Sequence, residues 1–299
     1  MQKKSKAALN QAKGKNPIGI FDSGMGGLTV AHAVSRLLPN ERILYFGDTA
    51  HTPWGDKSTE AIQQYSLKIA ELLLSQGCKA ILIACNTASA IALDIVKEAV
   101  GDRALLLNVI DPVIAHIEAN CTDQKIGLIG TKQTIRSNAY KKRLDALSQQ
   151  ISLSSLATPL LVPLIEEGYA ESSVAKSIIQ DYLAHPNLKD ISTLILGCTH
   201  YPLIKSTILE HHGNKLAVID SAELAAEALK EALSLHQLLN MESTGSNDKK
   251  LGQSKKSKKV ASPQHQFYIS DHNEFFANLA QLFFTESVPV ERYPIWDNP

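Results

Sequence analysis

Short runs of apolar, β-prone residues alternate with amphipathic stretches along nearly the whole chain. The runs fall at 18–21, 43–46, 80–84, 105–109, 125–129, 193–196, 216–219 and 267–269. Between them, apolar positions recur at helical spacing over 58–75, 88–100, 134–147 and 173–184. A long alanine- and leucine-rich helix is predicted over 221–239, with Ser221 as its N-cap. Near-continuous apolar strands separated by helices predict parallel sheets covered on both faces.

Two segments say nearly the same thing. A-I-L-I-A-C-N-T-A-S-A at 80–90 and T-L-I-L-G-C-T-H-Y-P-L-I at 193–204 each end an apolar strand in a small residue and a cysteine. Hydroxyl, amide or imidazole groups follow at once. A second echo pairs I-G-I-F-D-S-G at 18–24 with I-G-L-I-G-T at 126–131, at nearly the same separation along the chain. The expected architecture is therefore α/β: two similar α/β domains with mainly parallel sheets covered by helices and the active-site cleft between them. Reactive loops of open α/β sheets lie at the carboxyl ends of strands, which gathers Asp22, Cys85, Thr131 and Cys198 around one cleft. Residues 17–110 plus 216–299 are expected to form the first domain and 111–215 the second. Residues 1–16 read as a disordered basic extension, and 241–264, built from Ser, Lys, Gly and Asn, as a disordered insertion.

Both cysteines sit where a strand hands over to a helix, a place that lowers a thiol pKa. Asn86, Thr87 and Ser89 after Cys85 offer donors and acceptors that an apolar core would leave unsatisfied. Cys198 has His200 two residues away, an imidazole able to polarise the thiol or to cap a helix. Cys78 and Cys121 lack such surroundings and read as structural. The turn Asp22-Ser23-Gly24-Met25-Gly26-Gly27 can cradle an anion through backbone amides. Its aspartate argues against phosphate and for an ammonium group, a proton-positioning role or a helix cap. The polar loop 47–55, with Trp54 and Gly55, is expected to line the same cleft. Glu166 and Glu167 stay open between site acids and helix-surface acids.

Composition narrows the class. The 299 residues are 44% apolar and formally neutral, enough for about two domains. The charge is uneven: five lysines and no acid over 1–15, and six lysines against Glu242 and Asp248 over 242–259. Solvated tails are favoured over contacts with nucleic acid or anionic lipid. Four cysteines at these spacings make neither a disulfide framework nor a zinc site. The chain shows no apolar signal-peptide core and no run approaching the ~20 apolar residues of a membrane span. A cytoplasmic protein with reduced thiols is the reading. No pyridoxal lysine setting or metal cluster is evident, so no cofactor is expected.

The motifs F-D-S-G-M-G-G-L-T-V, D-T-A-H-T-P-W-G, A-C-N-T-A-S-A, G-T-K-Q-T, V-P-L-I-E-E-G and G-C-T-H-Y-P-L-I stand in this order. Together they resemble the glutamate racemase family, cofactor-independent isomerases that supply D-glutamate for peptidoglycan synthesis and so for cell shape. The match covers 18 to about 221, with a weaker echo over 267–284. The resemblance implies glutamate as a small-molecule substrate and two thiol acid/bases, Cys85 taking the α-proton from D-glutamate and Cys198 from L-glutamate. It implies that Asp22 assists on the Cys85 side and His200 on the Cys198 side. Ser23, Asn86, Thr87, Thr131 and Thr199 would bind the substrate's ammonium and carboxylate groups, with Glu166 nearby. The family's loop carries tyrosine where this chain has Trp54, so backbone contacts from Trp54 and Gly55 can survive there and a tyrosine hydroxyl contact cannot. The H-Y-P after Thr199 favours the glutamate branch over an aspartate racemase-like relative. A non-catalytic amino-acid-binding module is the alternative from another class. A homodimer is left open, and contact of the basic segments with nucleic acid or gyrase is disfavoured.

Overall fold

The computed structural model describes residues 14–122, 124–147, 151–211, 216–241, 265–284 and 288–297. Ten strands occur among them: β1 (Ile18–Asp22), β2 (Ile43–Gly47), β3 (Ala80–Ile83), β4 (Leu105–Asn108), β5 (Lys125–Gly130), β6 (Ser152–Ala157), β7 (Thr193–Gly197), β8 (Ala217–Asp220), β9 (Gln266–Ile269) and β10 (Val290–Arg292). They form two sheets, β10-β9-β2-β1-β3-β4 and β6-β5-β7-β8, and every paired strand runs parallel. The Ile/Leu/Phe runs of β1, β2, β3 and β7 are buried at every position, because helices cover both faces.

The internal echo has a topological meaning. The order β2-β1-β3-β4 in the first sheet is repeated as β6-β5-β7-β8 in the second. Each half starts on a central strand, adds its second strand on one side, and crosses to the other side for its third. The switch points lie between β1 and β3 and between β5 and β7. Ligands of open α/β sheets bind at such points, and each switch point here is followed by one of the two cysteine motifs.

Local departures from the sequence reading have local causes. The helix expected over 88–100 begins at Asn86, because Cys85 itself caps it, and breaks into Asn86–Ile91 and Leu93–Val100. The helix expected over 134–147 is split into Lys132–Arg136 and Ala139–Asp145 by Asn138, which adopts a left-handed φ of 54°. The long helix spans Ser221–Leu235, and Asp220 rather than Ser221 caps it, its Oδ1 accepting from the Ala222 amide at 2.9 Å. β8 pairs with β7, so the chain returns toward the first sheet after Asp220 rather than at 216. Strand β6 reads S-L-S-S-L-A and β10 reads V-E-R, and both lie at sheet edges. Neither carries the apolar run that marks the central strands.

Beneath the first sheet, the buried Lys79 ammonium pairs with Glu41 at 2.5 Å and donates to the carbonyls of Gly14 and Leu238. That ion pair ties the chain at residue 14, ahead of the boundary expected at 17, to the end of the long helical segment. Of the disorder expected over 1–16 and 241–264, the parts at 1–13 and 242–264 fall outside the described residues. Among the described residues, no helix is long and apolar enough to cross a membrane.

Candidate active site

Cys85 stands one residue beyond β3, after Ala84, and is 4% exposed. Its Sγ accepts from the Ala88 amide at 3.4 Å, and its thiol donates to Ser23 Oγ at 3.6 Å. The sequence placed this thiol where a helix should lower its pKa, and the structure reverses that expectation. Burial pushes the Cys85 thiol up to about 12, and the nearby Asp22 and Cys198 add to the rise. The amide of Ala88 and the hydroxyl of Ser23 oppose it without prevailing. A six-residue helix (Asn86–Ile91) contributes too little field to outweigh desolvation. Cys85 therefore rests as the protonated thiol.

Cys198 follows β7 in the corresponding place and is 5% exposed. Its Sγ lies 3.6 Å from His200 Nδ1, and His200 Nε2 lies 2.9 Å from Glu166 Oε1. Burial acts to lower the His200 pKa, but the bonds to Cys198 and Glu166 overcome it and raise the value well above the ordinary imidazole figure. The imidazole is thus a buried cation held between a sulfur and a carboxylate. Glu166, left open by the sequence, closes this Cys198–His200–Glu166 row. Cys78 and Cys121 are buried at 3% and 6% exposure and take no part in the row.

Asp22 ends β1 and is fully buried behind the cavity wall rather than in it. Its Oδ2 accepts from the Gly24 amide at 3.0 Å and its Oδ1 from Thr199 Oγ1 at 3.2 Å. Burial raises its pKa, while His200 and these bonds pull the other way. Asp22 therefore ties the 22–27 turn to the Cys198 loop from behind. Besides the anion cradle considered from sequence, the glycine-rich turn has a packing purpose. A Cβ on Gly26 would stand 2.5 Å from His200 Nδ1 and 2.6 Å from Thr199 Oγ1. Only glycine lets the first half approach the Cys198 loop so closely. Gly26→Ala is expected to displace the atom that faces Cys198 and lower kcat/KM by about 100-fold, with a stability loss of about 1–3 kcal/mol; steady-state kinetics beside urea unfolding reads both.

Hydroxyls bridge the halves on the other side. Thr87 Oγ1 lies 2.9 Å from Thr131 Oγ1 and 3.3 Å from Thr134 Oγ1, and the last two are 3.0 Å apart. Thr131 also caps the helix Lys132–Arg136 by accepting from the Thr134 amide. Thr134 was missed by the sequence reading, although T-K-Q-T at 131–134 is the spacing of a cap and its N3 residue. Asn86 is 2% exposed, its Oδ1 accepts from Tyr140 Oη at 2.7 Å, and its Nδ2 has no partner.

The 48–55 loop is pinned by Asp48, whose fully buried carboxylate accepts from Trp54 Nε1, Trp296 Nε1, Ser270 Oγ and His51 Nδ1 at 2.7–3.1 Å. Trp54 is 1% exposed, and its indole N–H serves the loop's own architecture. Gly55 touches the other half: a Cβ there would meet Thr131 Cβ at 2.8 Å. Trp54→Phe removes one of four donors from Asp48, with an expected stability loss of about 1.5–3 kcal/mol for a bond to a charged group, read from the urea midpoint.

These groups line one cavity of ≈ 640 Å³, its mouth included. Ser23, Trp54, Gly55, Cys85, Asn86, Thr87, Thr131, Glu166, Cys198, Thr199 and His200 all contribute to its wall, whereas Asp22 and Ser89 are buried away from it and Glu167 is a surface acid. Thr52 of the expected loop also contributes, and Lys132, Thr158 and Val162 contribute without having been anticipated. Lys132 Nζ meets Asp56 Oδ1 at 3.0 Å and so ties the mouth across the two halves. A wider hollow runs along β4 and past the buried Lys79, whose ammonium is already occupied by Glu41 and two carbonyls. The two strand-end thiols and the His200–Glu166 pair line the first cavity and not the second. Two thiols with separate polar partners thus stand on the wall of one cavity.

Two parallel α/β halves with a cysteine at each switch point define a class of amino-acid racemases, and the comparisons with known proteins agree. A family model described as Asp/Glu/Hydantoin racemase matches residues 28–229. The glutamate racemase of Chlorobaculum parvum is 41% identical over 275 residues, 92% of this chain and 94% of that protein. The crystal structure of glutamate racemase from Francisella tularensis in complex with D-glutamate superposes with a TM-score of 0.81 at 34% identity, covering 95% of this chain and 99% of that one. The Thermus thermophilus glutamate racemase in complex with β-chloro-D-alanine gives 0.77 at 38% identity, over 94% and 97% of the two chains. This chain belongs to the glutamate racemase family, and it is an isomerase.

Proposed function

We propose that this protein interconverts L- and D-glutamate without a cofactor, with Cys85 and Cys198 exchanging the α-hydrogen from opposite faces. The observation that carries the reading is the pair of buried free thiols on the wall of one cavity. Their unlike surroundings support it further: Cys85 rests as a thiol, while Cys198 has a cationic imidazole at 3.6 Å, a neighbour that stabilises a thiolate.

In the L-to-D direction, the Cys198 thiolate takes the α-proton and becomes a thiol. The electron pair left on Cα delocalises into the α-carboxylate, making a dianionic intermediate. The Cys85 thiol then delivers its proton to the other face, giving D-glutamate and a Cys85 thiolate. The reverse reaction retraces these steps, and exchange of thiol protons with water also resets the pair. One base would have to cross the plane of the intermediate; two avoid that. Asn86 Nδ2 and the hydroxyls of Thr87, Thr131 and Thr199 are the donors suited to the charge that builds on the carboxylate, and exclusion of water by the bound substrate would strengthen each. Glutamate is the substrate named for the relatives above, and D-glutamate occupies the Francisella protein. In the cell, the product would feed peptidoglycan synthesis from the cytoplasm.

Incubating purified protein with L-glutamate in D₂O tests the reading. Optical activity should decay to zero while deuterium enters Cα. Retained optical activity with L-glutamate overturns the proposal, and decay with L-aspartate in its place assigns the chain to the aspartate branch.

A further inference from the structure

Asn86 lies on the first half, at the start of the helix that follows Cys85, and its side chain forms part of the cavity wall. Its amide is 2% exposed, yet Nδ2 has no hydrogen-bond partner. A buried amide nitrogen with two unused donors costs stability unless a ligand meets it. The other end of the amide is fixed: Oδ1 accepts from Tyr140 Oη at 2.7 Å. Tyr140 belongs to the second half, near the start of the helix Ala139–Asp145, and is 1% exposed. The left-handed turn at Asn138 starts that helix afresh and brings the phenol to this point.

A carboxamide can present either its oxygen or its nitrogen to a cavity, since the two orientations fill the same space. The difference matters beside an anionic substrate, because an oxygen facing a carboxylate repels it and an N–H₂ binds it. We propose that Tyr140 is a positioning residue: its hydroxyl, donating across the two halves to Asn86 Oδ1, holds the amide with Nδ2 toward the carboxylate of the bound amino acid. In the flipped orientation the Tyr140 proton would have no acceptor and the Asn86 oxygen would face the anion, so two costs oppose it. Burial and the neighbouring Cys198 push the phenol's ionisation upward, which keeps the proton on the hydroxyl across neutral and mildly alkaline pH. The bond joins the two halves, so the donor is correctly aimed only while they stand together. This inference rests on the proposed racemase reading and adds to it a residue that touches neither substrate nor thiol.

The test is a double-mutant cycle on Tyr140→Phe and Asn86→Ala, assayed for racemisation of L- and D-glutamate with fold checked by thermal melting. Tyr140→Phe keeps the ring and removes the hydroxyl. It is expected to lower kcat/KM about 10-fold, as the loss of one positioned hydrogen bond does, and to act more on kcat than on KM because the charge on the carboxylate grows toward the transition state. Asn86→Ala is expected to lower activity further, and the double variant to be no worse than Asn86→Ala alone. A purely structural Tyr140 would lower the melting temperature and multiply its effect with that of Asn86→Ala. Activity of Tyr140→Phe within twofold of wild type, multiplicative effects in the double variant, or a silent Asn86→Ala each overturns the inference while the racemase reading stands. A wild-type protein inert toward both enantiomers overturns the reading itself, and the inference with it.

Discussion

Replacing either thiol by a hydroxyl is expected to remove racemisation in both directions, and by the same factor. The enantiomers have equal free energy in water, so the equilibrium constant is one and kcat/KM must be equal for L- and D-glutamate in every variant. A positioned acid or base contributes about 10²–10⁴-fold, and Cys85→Ser or Cys198→Ser should lose at least the upper part of that range. The two variants should separate in D₂O. With Cys198→Ser, the Cys85 thiolate still reaches D-glutamate, so the D enantiomer exchanges its α-hydrogen slowly without inverting and L-glutamate does not exchange. Cys85→Ser should show the opposite pairing, exchange on L-glutamate alone. NMR of the α-proton, run beside polarimetry, reads both. Full turnover by either variant rejects the two-thiol mechanism, whereas exchange on the other enantiomer rejects only the assignment of faces.

The central strands and the two cysteine loops were legible because their physics is local. Ile, Leu and Phe runs that are buried on both faces leave an unmistakable pattern, and β1, β2, β3 and β7 carry it. The sequence echo also pointed to two similar α/β halves, and the structure gives them the matching orders β2-β1-β3-β4 and β6-β5-β7-β8. The hydroxyl-rich edge strand β6 was invisible, because an edge strand needs no continuous apolar run. Contacts made between distant segments were hidden in the same way. Nothing near Asp48 in sequence announces Ser270 or Trp296, which reach it from the far end of the chain. The upward shift at Cys85 was hidden too, since the sequence displays the helix start but not the depth at which the thiol is buried. Glu166 could be either a surface acid or a site acid until the fold set it 2.9 Å from His200. The glycines of the 22–27 turn read as a ligand cradle when taken alone, and as a packing face once His200 stands over Gly26.

Removing the His200 imidazole is expected to give the second large loss. His200→Asn leaves Cys198 without its cationic neighbour and leaves Glu166 facing an uncharged amide. Charge that develops on the Cys198 sulfur during proton exchange then lacks its cationic partner, so kcat/KM should fall by about 10²-fold or more. Glu166→Gln, which keeps the imidazole but weakens its anchor, should cost less. The pH dependence has a definite sign. The His200 pKa is raised in the folded protein, so the stabilisation its charge provides is complete below the ordinary imidazole pKa of about 6.5. That stabilisation is lost as pH climbs through the higher folded value, because the folded form then releases a proton the unfolded form has already given up. Wild type should therefore lose stability and turnover together on the alkaline side. In His200→Asn, His200's contribution to the alkaline stability loss should vanish while the low turnover persists. Urea midpoints and kcat/KM measured from pH 6 to 9 on both proteins compare the two. An alkaline limb of unchanged size in the variant would mean that another group carries it, and that the charge on His200 does not sustain the Cys198 side of the site.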